Sequence, residues 1–329
     1  MERMNNMLQP KALQAGDEIR VIAPSRSLAI IEEQVIKRAK ERFEALGLTV
    51  SISKHAFEID DFASSSIESR IEDLHEAFSD PNVKGIMTTL GGFNSNQLLS
   101  YIDYDLIKQH PKMICGYSDI TALSHALYKK TGLVTYSGPH FSTFGMEKGF
   151  DYSYEHFQKA VMMKEPIHLK PSAHWSDDAW YLNQSDRTFY DNDWVIIQEG
   201  EAEGTLLGGN LCTLNLLQGT EYMPSLANSI LVVEDDSMTI PETFDRDLQS
   251  LLHLYDATPL KALIIGRFEQ KSNMTLPLLK QIIASKKELR NIPIIANVNV
   301  GHTSPIVTYP VGGQTSVRAY GNDIQWIIN

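Results

Sequence analysis

Cysteine is scarce in this chain, with two among 329 residues, Cys115 and Cys212. Two thiols cannot make a disulfide framework, and they suit a reducing compartment. Long apolar runs are missing as well, and none approaches the roughly 20 residues that span a bilayer. The start, Met1-Glu2-Arg3-Met4-Asn5-Asn6, lacks the apolar stretch of a signal peptide. Positive charge is outweighed, with 29 Lys and Arg against 41 Asp and Glu and a net charge of -12. That balance argues against a nucleic-acid polymer as partner and against an anionic membrane surface. No His-Glu-x-x-His or paired Cys-x-x-Cys is found, so no dedicated metal site is expected. No Walker loop or Gly-x-Gly-x-x-Gly follows the first strand, which weighs against a nucleotide cofactor. The expected protein is soluble and cytoplasmic, with no dedicated metal site and no nucleotide cofactor.

Apolar residues make up 43% and charged residues 21%, a globular composition long enough for two domains. The first half alternates strand and helix signals. Ile19 to Ala23 is a short strand-like run ending in Pro24-Ser25. Ile31, Val35, Ala39, Phe43 and Leu46 then recur at helical spacing. Leu48 to Ile52, Val83 to Thr88 and Lys112 to Cys115 read as further strands. Ile67 to Phe78 and Ile120 to Tyr128 read as helices. This order implies an α/β fold with a parallel sheet, whose ligands bind beyond the carboxyl ends of the strands. Three segments follow: 1–165 as an α/β domain, 166–204 as a linker with a long polar and aromatic loop, and 205–329 as a second α/β unit closing in short strands. In that unit Ile230 to Val233 and Ala262 to Ile265 read as buried strands, with a helix from about Pro241 to Leu254.

Several residues at strand ends can carry chemistry. Ser118 lies in Cys115-Gly116-Tyr117-Ser118-Asp119-Ile120, where a strand turns sharply into a helix. A serine there is exposed beside the free N–H groups of a helix start, the logic of a nucleophile elbow. On spacing alone the plainer reading, that Ser118 or Asp119 only caps the helix, is the favoured one. Gly91-Gly92 follows a buried strand and lets backbone N–H groups approach a ligand, as an ordinary tight turn would also. His302 sits in a loop after the strand-like run Ile294 to Val300, a place for a general base, though the chain has 10 histidines. Glu234 ends the run Ile230 to Val233 and can orient a histidine; with Asp235 and Asp236 it can equally form a solvated acidic loop. Cys115 reads as buried and inert, and Cys212 as packed on a helix.

The order of these motifs is more specific than any one of them. Pro24-Ser25, Gly91-Gly92, Gly116-Tyr117-Ser118-Asp119, Gly208-Gly209-Asn210-Leu211, Val233-Glu234-Asp235, Gly266-Arg267-Phe268, and Gly301-His302 followed by Pro310-Val311-Gly312 resemble the LD-carboxypeptidase family across nearly the whole chain. The resemblance implies a flavodoxin-like amino-terminal α/β domain and a smaller β-rich carboxyl-terminal domain. It implies a serine carboxypeptidase with Ser118 as nucleophile, Glu234 as orienting acid and His302 as base. The N–H groups of Gly92 and Asp119 would form the oxyanion hole. Members are commonly homodimers and need no metal. One branch removes the terminal D-alanine of cytoplasmic murein tetrapeptides. The other resembles the microcin C self-immunity protein, which cleaves an amide between an acidic residue and a nucleotide-like group.

Trp175-Ser176-Asp177-Asp178-Ala179-Trp180 looks like the aromatic loop of the immunity branch, and an indole such as Trp180 could stack on a nucleobase. The same tryptophans could instead pack across the domain junction. Asn210 could touch substrate or cap a helix. Arg246 could grip a substrate carboxylate in a two-pronged fashion or pair with a neighbouring acid. Two readings of other classes stand beside this one: a two-domain small-molecule binding protein, and a thiol-dependent amidotransferase using Cys115.

Overall fold

The computed structural model describes residues 7–257 and 259–329. The amino-terminal segment scanned above for a signal peptide lies outside them. Among the described residues no helix is long and apolar enough to cross a membrane.

The first sheet has six strands. In spatial order they are Tyr309–Val311, Thr135–Ser137, Met113–Cys115, Val83–Thr88, Glu18–Ile22 and Thr49–Ile52. The last five run parallel, and their order by sequence is the 2-1-3-4-5 of a flavodoxin-like sheet. The expected fold class is met. The helices form where the apolar spacing put them, at Glu33–Ala45, Ile67–Ser79 and Ile120–Thr131. The first buries Val35, Ala39 and Phe43, three to four residues apart along one face.

The second sheet has eight strands, ordered Ile167–Leu169, Asp323–Ile328, Gln314–Tyr320, Gly200–Asn210, Ser229–Glu234, Ala262–Gly266, Ile294–Val298 and Val195–Gln198. Its central four strands are parallel. Antiparallel strands flank them on both sides.

Two parts of the chain depart from the expected segments. Residues 166–204 are not only a linker and loop: Ile167–Leu169 and Val195–Gln198 are the two edge strands of the second sheet. Edge strands are short and partly exposed, so their apolar pattern is weak. Tyr309–Val311, inside the segment 205–329 expected to form the second unit, instead pairs antiparallel with Thr135–Ser137 in the first sheet. Thr135–Ser137 itself is only three residues long and gave no strand signal.

One continuous apolar core runs under both sheets, from Ile114, Leu123 and Leu127 to Leu206, Val232 and Ile264. Polar contacts cross it too. The buried His125, on the helix after Ser118, accepts a hydrogen bond from the Gly208 N–H at 3.0 Å. Thr121 Oγ1 accepts one from the Asn210 N–H at 3.1 Å. Burial pushes His125 down to about 4, so it stays neutral and keeps its acceptor. Beside these, Trp326 of the second sheet meets Tyr309 of the first at 6.1 Å between ring centroids, and Trp194 at 6.2 Å. Trp326 is fully buried, and its indole N–H donates to Thr315 Oγ1 at 2.9 Å.

Trp326→Ala removes the largest side chain at this junction. A urea melt should show a loss of about 3–5 kcal/mol, the usual cost of truncating a buried aromatic. A loss under about 1 kcal/mol would mean the junction is held elsewhere.

Candidate active site

The loops after the parallel strands of both sheets converge. Ser118 follows Met113–Cys115, Gly91 and Gly92 follow Val83–Thr88, and Ser25 follows Glu18–Ile22. From the second sheet come Glu234, the last residue of its strand, and His302, four residues past Val298.

Ser118 has a φ of +61°, a left-handed conformation unusual for a residue with a Cβ. The turn lifts the side chain off the helix start. Its Oγ lies 3.0 Å from His302 Nε2. His302 Nδ1 lies 2.8 Å from Glu234 Oε2, and Glu234 is only 3% exposed. The three side chains thus form a continuous hydrogen-bonded line. Ser118 is not a side-chain cap, and Glu234 is not part of a solvated loop. Gly301 makes room for this line. It has a φ of +96°, and a Cβ there would overlap the Glu234 carboxylate.

Asp119 also departs from a capping role, because its carboxylate makes no cap bond to its own helix. It accepts instead from Ser25 Oγ at 2.6 Å, the Asn94 N–H at 3.1 Å and the Ser95 N–H at 2.9 Å. Ser95 Oγ donates to the Asp119 carbonyl at 2.7 Å. These bonds fasten three loops together and fix the Asp119 backbone beside Gly92. The N–H groups of Gly92 and Asp119 have no acceptor among the described residues. A Cβ at Gly91 would stand 3.0 Å from Ser118 Oγ, and one at Gly92 would overlap Ser25 Oγ. The glycines are therefore demanded by close approach. Arg70, almost fully buried, holds the same loops from below by donating to the carbonyls of Pro24 and Asn94 and to Gln97 Oε1.

Charge sets the protonation of His302. Burial alone would lower the pKa of His302, but Glu234, by charge and hydrogen bond, with Asp236 and Glu269 further off, outweighs it and raises it to about 9. Asp235, behind Glu234, is pushed up to about 7 by burial and by the Glu234 charge.

Sequence reasoning missed His140. It is 1% exposed and lies beneath the site. Its Nδ1 is 2.8 Å from Thr88 Oγ1, and its ring lies 4.5 Å from that of Tyr117, which in turn lies 5.3 Å from His302. Burial, then the charge of His302, lowers it to about 3 and keeps it neutral. The one available signal was its place in Gly138-Pro139-His140, just past the end of a parallel strand. Glu269, just beyond Gly266-Arg267-Phe268 and close enough for its charge to act on His302, was missed as well.

The secondary candidates separate. Asn210 caps its helix: its Oδ1 accepts from the Thr213 N–H and Oγ1, both at 2.9 Å, and its Nδ2 donates to Asp235. Arg246 is 71% exposed and pairs with Asp247 at 2.9 Å. Trp175 lies against Tyr190, and the Arg267 guanidinium sits 4.7 Å over its ring. Trp180 is half-buried against the first-sheet core. Their loop is tied to the His302 loop by paired backbone bonds between Ser176 and Ser304, and by Arg187, which joins Asp178 to Ser304 Oγ. Cys115 is buried, which pushes its thiol pKa up and leaves it a poor nucleophile. Cys212, expected to be packed, is exposed, because its helix Leu211–Asn215 is a single short turn whose outer face is open.

The strand ends of the two sheets thus bring a serine, a histidine and a carboxylate into one hydrogen-bonded line. The sequence matches the LD-carboxypeptidase N-terminal domain over residues 19–138 and the LD-carboxypeptidase C-terminal domain over residues 203–317. The chain belongs to the LD-carboxypeptidase family. YocD of Bacillus subtilis, which carries a carboxypeptidase name, is 57% identical over 317 residues, covering 96% of this chain and 98% of that one. A second B. subtilis protein, named for murein peptide carboxypeptidase activity, is 30% identical, covering 94% and 91%. Among solved structures, an MccF-like protein from Bacillus anthracis superposes with a TM-score of 0.96 at 52% identity, covering 98% and 99%. MccF, the microcin C7 self-immunity protein of Escherichia coli, in complex with glutamyl sulfamoyl guanosine, superposes at 0.87 with 30% identity, covering 97% and 98%.

A base that ionises near pH 9 must lose its proton before it can act. kcat/KM should therefore climb about tenfold per pH unit up to about pH 9 and then level off. Glu234→Gln removes the main cause of the raised value, so the rising limb should move to lower pH. Its plateau should fall roughly 10³–10⁴-fold. A limb that stays in place in the Gln variant would assign the titration to another group.

Proposed function

We propose that the protein is a serine carboxypeptidase or amidase that hydrolyses a C-terminal amide through Ser118, His302 and Glu234, and that its substrates are aminoacyl or peptidyl nucleotides of the microcin C kind. The observation that carries the chemistry is the Ser118–His302–Glu234 line, at 3.0 and 2.8 Å. The likeness to MccF, crystallised with a glutamyl sulfamoyl nucleoside, supports the substrate class.

In this mechanism His302 Nε2 takes the Ser118 proton as Oγ attacks the scissile carbonyl. Glu234 holds the imidazole with Nδ1 protonated and stabilises the imidazolium. The N–H groups of Gly92 and Asp119 receive the oxyanion, each worth about 3 kcal/mol. His302 then gives its proton to the leaving nitrogen. Water, activated by the same histidine, releases the acyl group from Ser118.

Murein tetrapeptide cleavage is the second reading. It is favoured by the Arg267 guanidinium, which covers one face of the half-buried Trp175 indole, and by the murein-named relative.

A mass-spectrometric hydrolysis assay separates these. Wild type and Ser118→Ala are each given a murein tetrapeptide and an aminoacyl sulfamoyl-adenylate. Cleavage of the adenylate that disappears in Ser118→Ala is the expected result, and Trp180→Ala should weaken that substrate selectively. Cleavage of the tetrapeptide alone would select the second reading. Undiminished turnover by Ser118→Ala would overturn the mechanism.

A further inference from the structure

Both substrate classes share one feature. The leaving group carries an anion close to the scissile nitrogen: the α-carboxylate of a terminal amino acid, or the sulfamoyl or phosphoryl group of a nucleotide. A cation beside the oxyanion hole would favour such amides through a charge-assisted hydrogen bond. The cations around the site are mostly committed. Arg70 is buried and saturated by carbonyls and Gln97. Arg187 holds Asp178, the Lys148 carbonyl and Ser304. Arg267 holds Asn192 and the Asp193 carbonyl under cover of Trp175. Arg246 stands in solvent beside Asp247.

Arg26 differs. It follows Ser25, the residue that Asp119 fixes, and its Cγ lies 3.1 Å from the position a Cβ would take on Gly92. Its stem therefore runs along the oxyanion loop, one residue from the glycine that touches Ser118. Its guanidinium has no carboxylate or carbonyl partner among the described residues. It lies 5.4 Å over the ring of Phe93, which is itself 67% exposed. Both side chains line a cavity of about 500 Å³ together with Phe62, Asn94 and Gln97, the buried Arg70 and one carboxylate, Asp60. A cation–π contact of this kind holds the guanidinium in place without neutralising it. The backbone of the loop beneath is fixed by Arg70 and Asp119, so the charge is carried on a rigid base.

We propose that Arg26, steadied by Phe93, binds the anionic part of the leaving group and thereby sets the preference for amides whose leaving amine carries a carboxylate, sulfamoyl or phosphoryl group. The inference rests on the hydrolytic reading above. It adds a binding determinant on the first-sheet side of the site, where neither Asn210 nor Arg246 lies.

The test compares matched substrates with charged and neutral leaving groups. For a peptide these are the free acid and its C-terminal amide. For a nucleotide they are the aminoacyl sulfamoyl-adenosine and a neutral aminoacyl amide. Whichever class the wild-type enzyme cleaves supplies the pair. Arg26→Gln should lower kcat/KM on the charged member about 10–100-fold, the range for losing a hydrogen bond to a charged group, mostly through KM. It should change the neutral member less than threefold, and Arg26→Lys should recover part of the loss. Equal losses on both members, or no loss on either, overturn the assignment while leaving the hydrolytic reading intact. Failure of the wild type to cleave any of the four overturns that reading and this one with it. A thermal melt of Arg26→Gln matching wild type shows that the change is not one of folding.

Discussion

The hydrogen bond between Ser118 Oγ and His302 Nε2 joins side chains that belong to different sheets, and the rest of the architecture serves to keep its ends 3.0 Å apart. A displacement of about an ångström at either end would cost a large factor in rate. The fold meets that demand with contacts that cross between the sheets close to the site. His125 and Thr121, on the helix that follows Ser118, bind the backbone of Gly208 and Asn210. Tyr309–Val311 leaves the second unit to pair with the first sheet only a few residues after His302. The aromatic loop is stitched to Ser304.

Local strain and buried charge are concentrated at the same place. Ser118 holds a positive φ, Gly301 leaves the space that the Glu234 carboxylate fills, and Glu234, Asp235 and Asp119 are all buried acids. Each acid has a distinct support. Glu234 faces a histidine, Asp119 accepts three hydrogen bonds, and Asp235 is drawn toward its neutral form. A buried carboxylate is tolerable only with such compensation. The stability given up here is offset by the continuous apolar core beneath both sheets.

Much of this was legible in the sequence, for physical reasons. Buried parallel strands read as unbroken apolar runs, so Ile19 to Ala23, Val83 to Thr88 and Ile230 to Val233 stood out, and chemistry in such folds gathers at the strand ends that follow. Ser118, Glu234 and His302 each stood at such an end as one candidate among others, the resemblance to the LD-carboxypeptidase family grouped them, and the structure brings them within hydrogen-bonding distance. Other features were hidden because they depend on tertiary pairing. Thr135–Ser137 and Tyr309–Val311 are three residues each, too short for a period to show. Val195–Gln198 is a partly exposed edge inside a polar stretch. His140 had only its place past a short strand to mark it, and Arg26 had no local signature, since one matters through what lies above it and the other through what it fails to pair with. Asn210 shows the converse: either role fitted its sequence, and only its bonds to Thr213 reveal the cap.

The most direct check on the central claim is covalent trapping with a serine-directed aryl phosphonate, followed by peptide mapping by mass spectrometry. The account predicts a single adduct on Ser118, formed faster as pH rises toward 9 and strongly slowed by Glu234→Gln. An unmodified Ser118, or inactivation by a thiol-alkylating reagent instead, would contradict it.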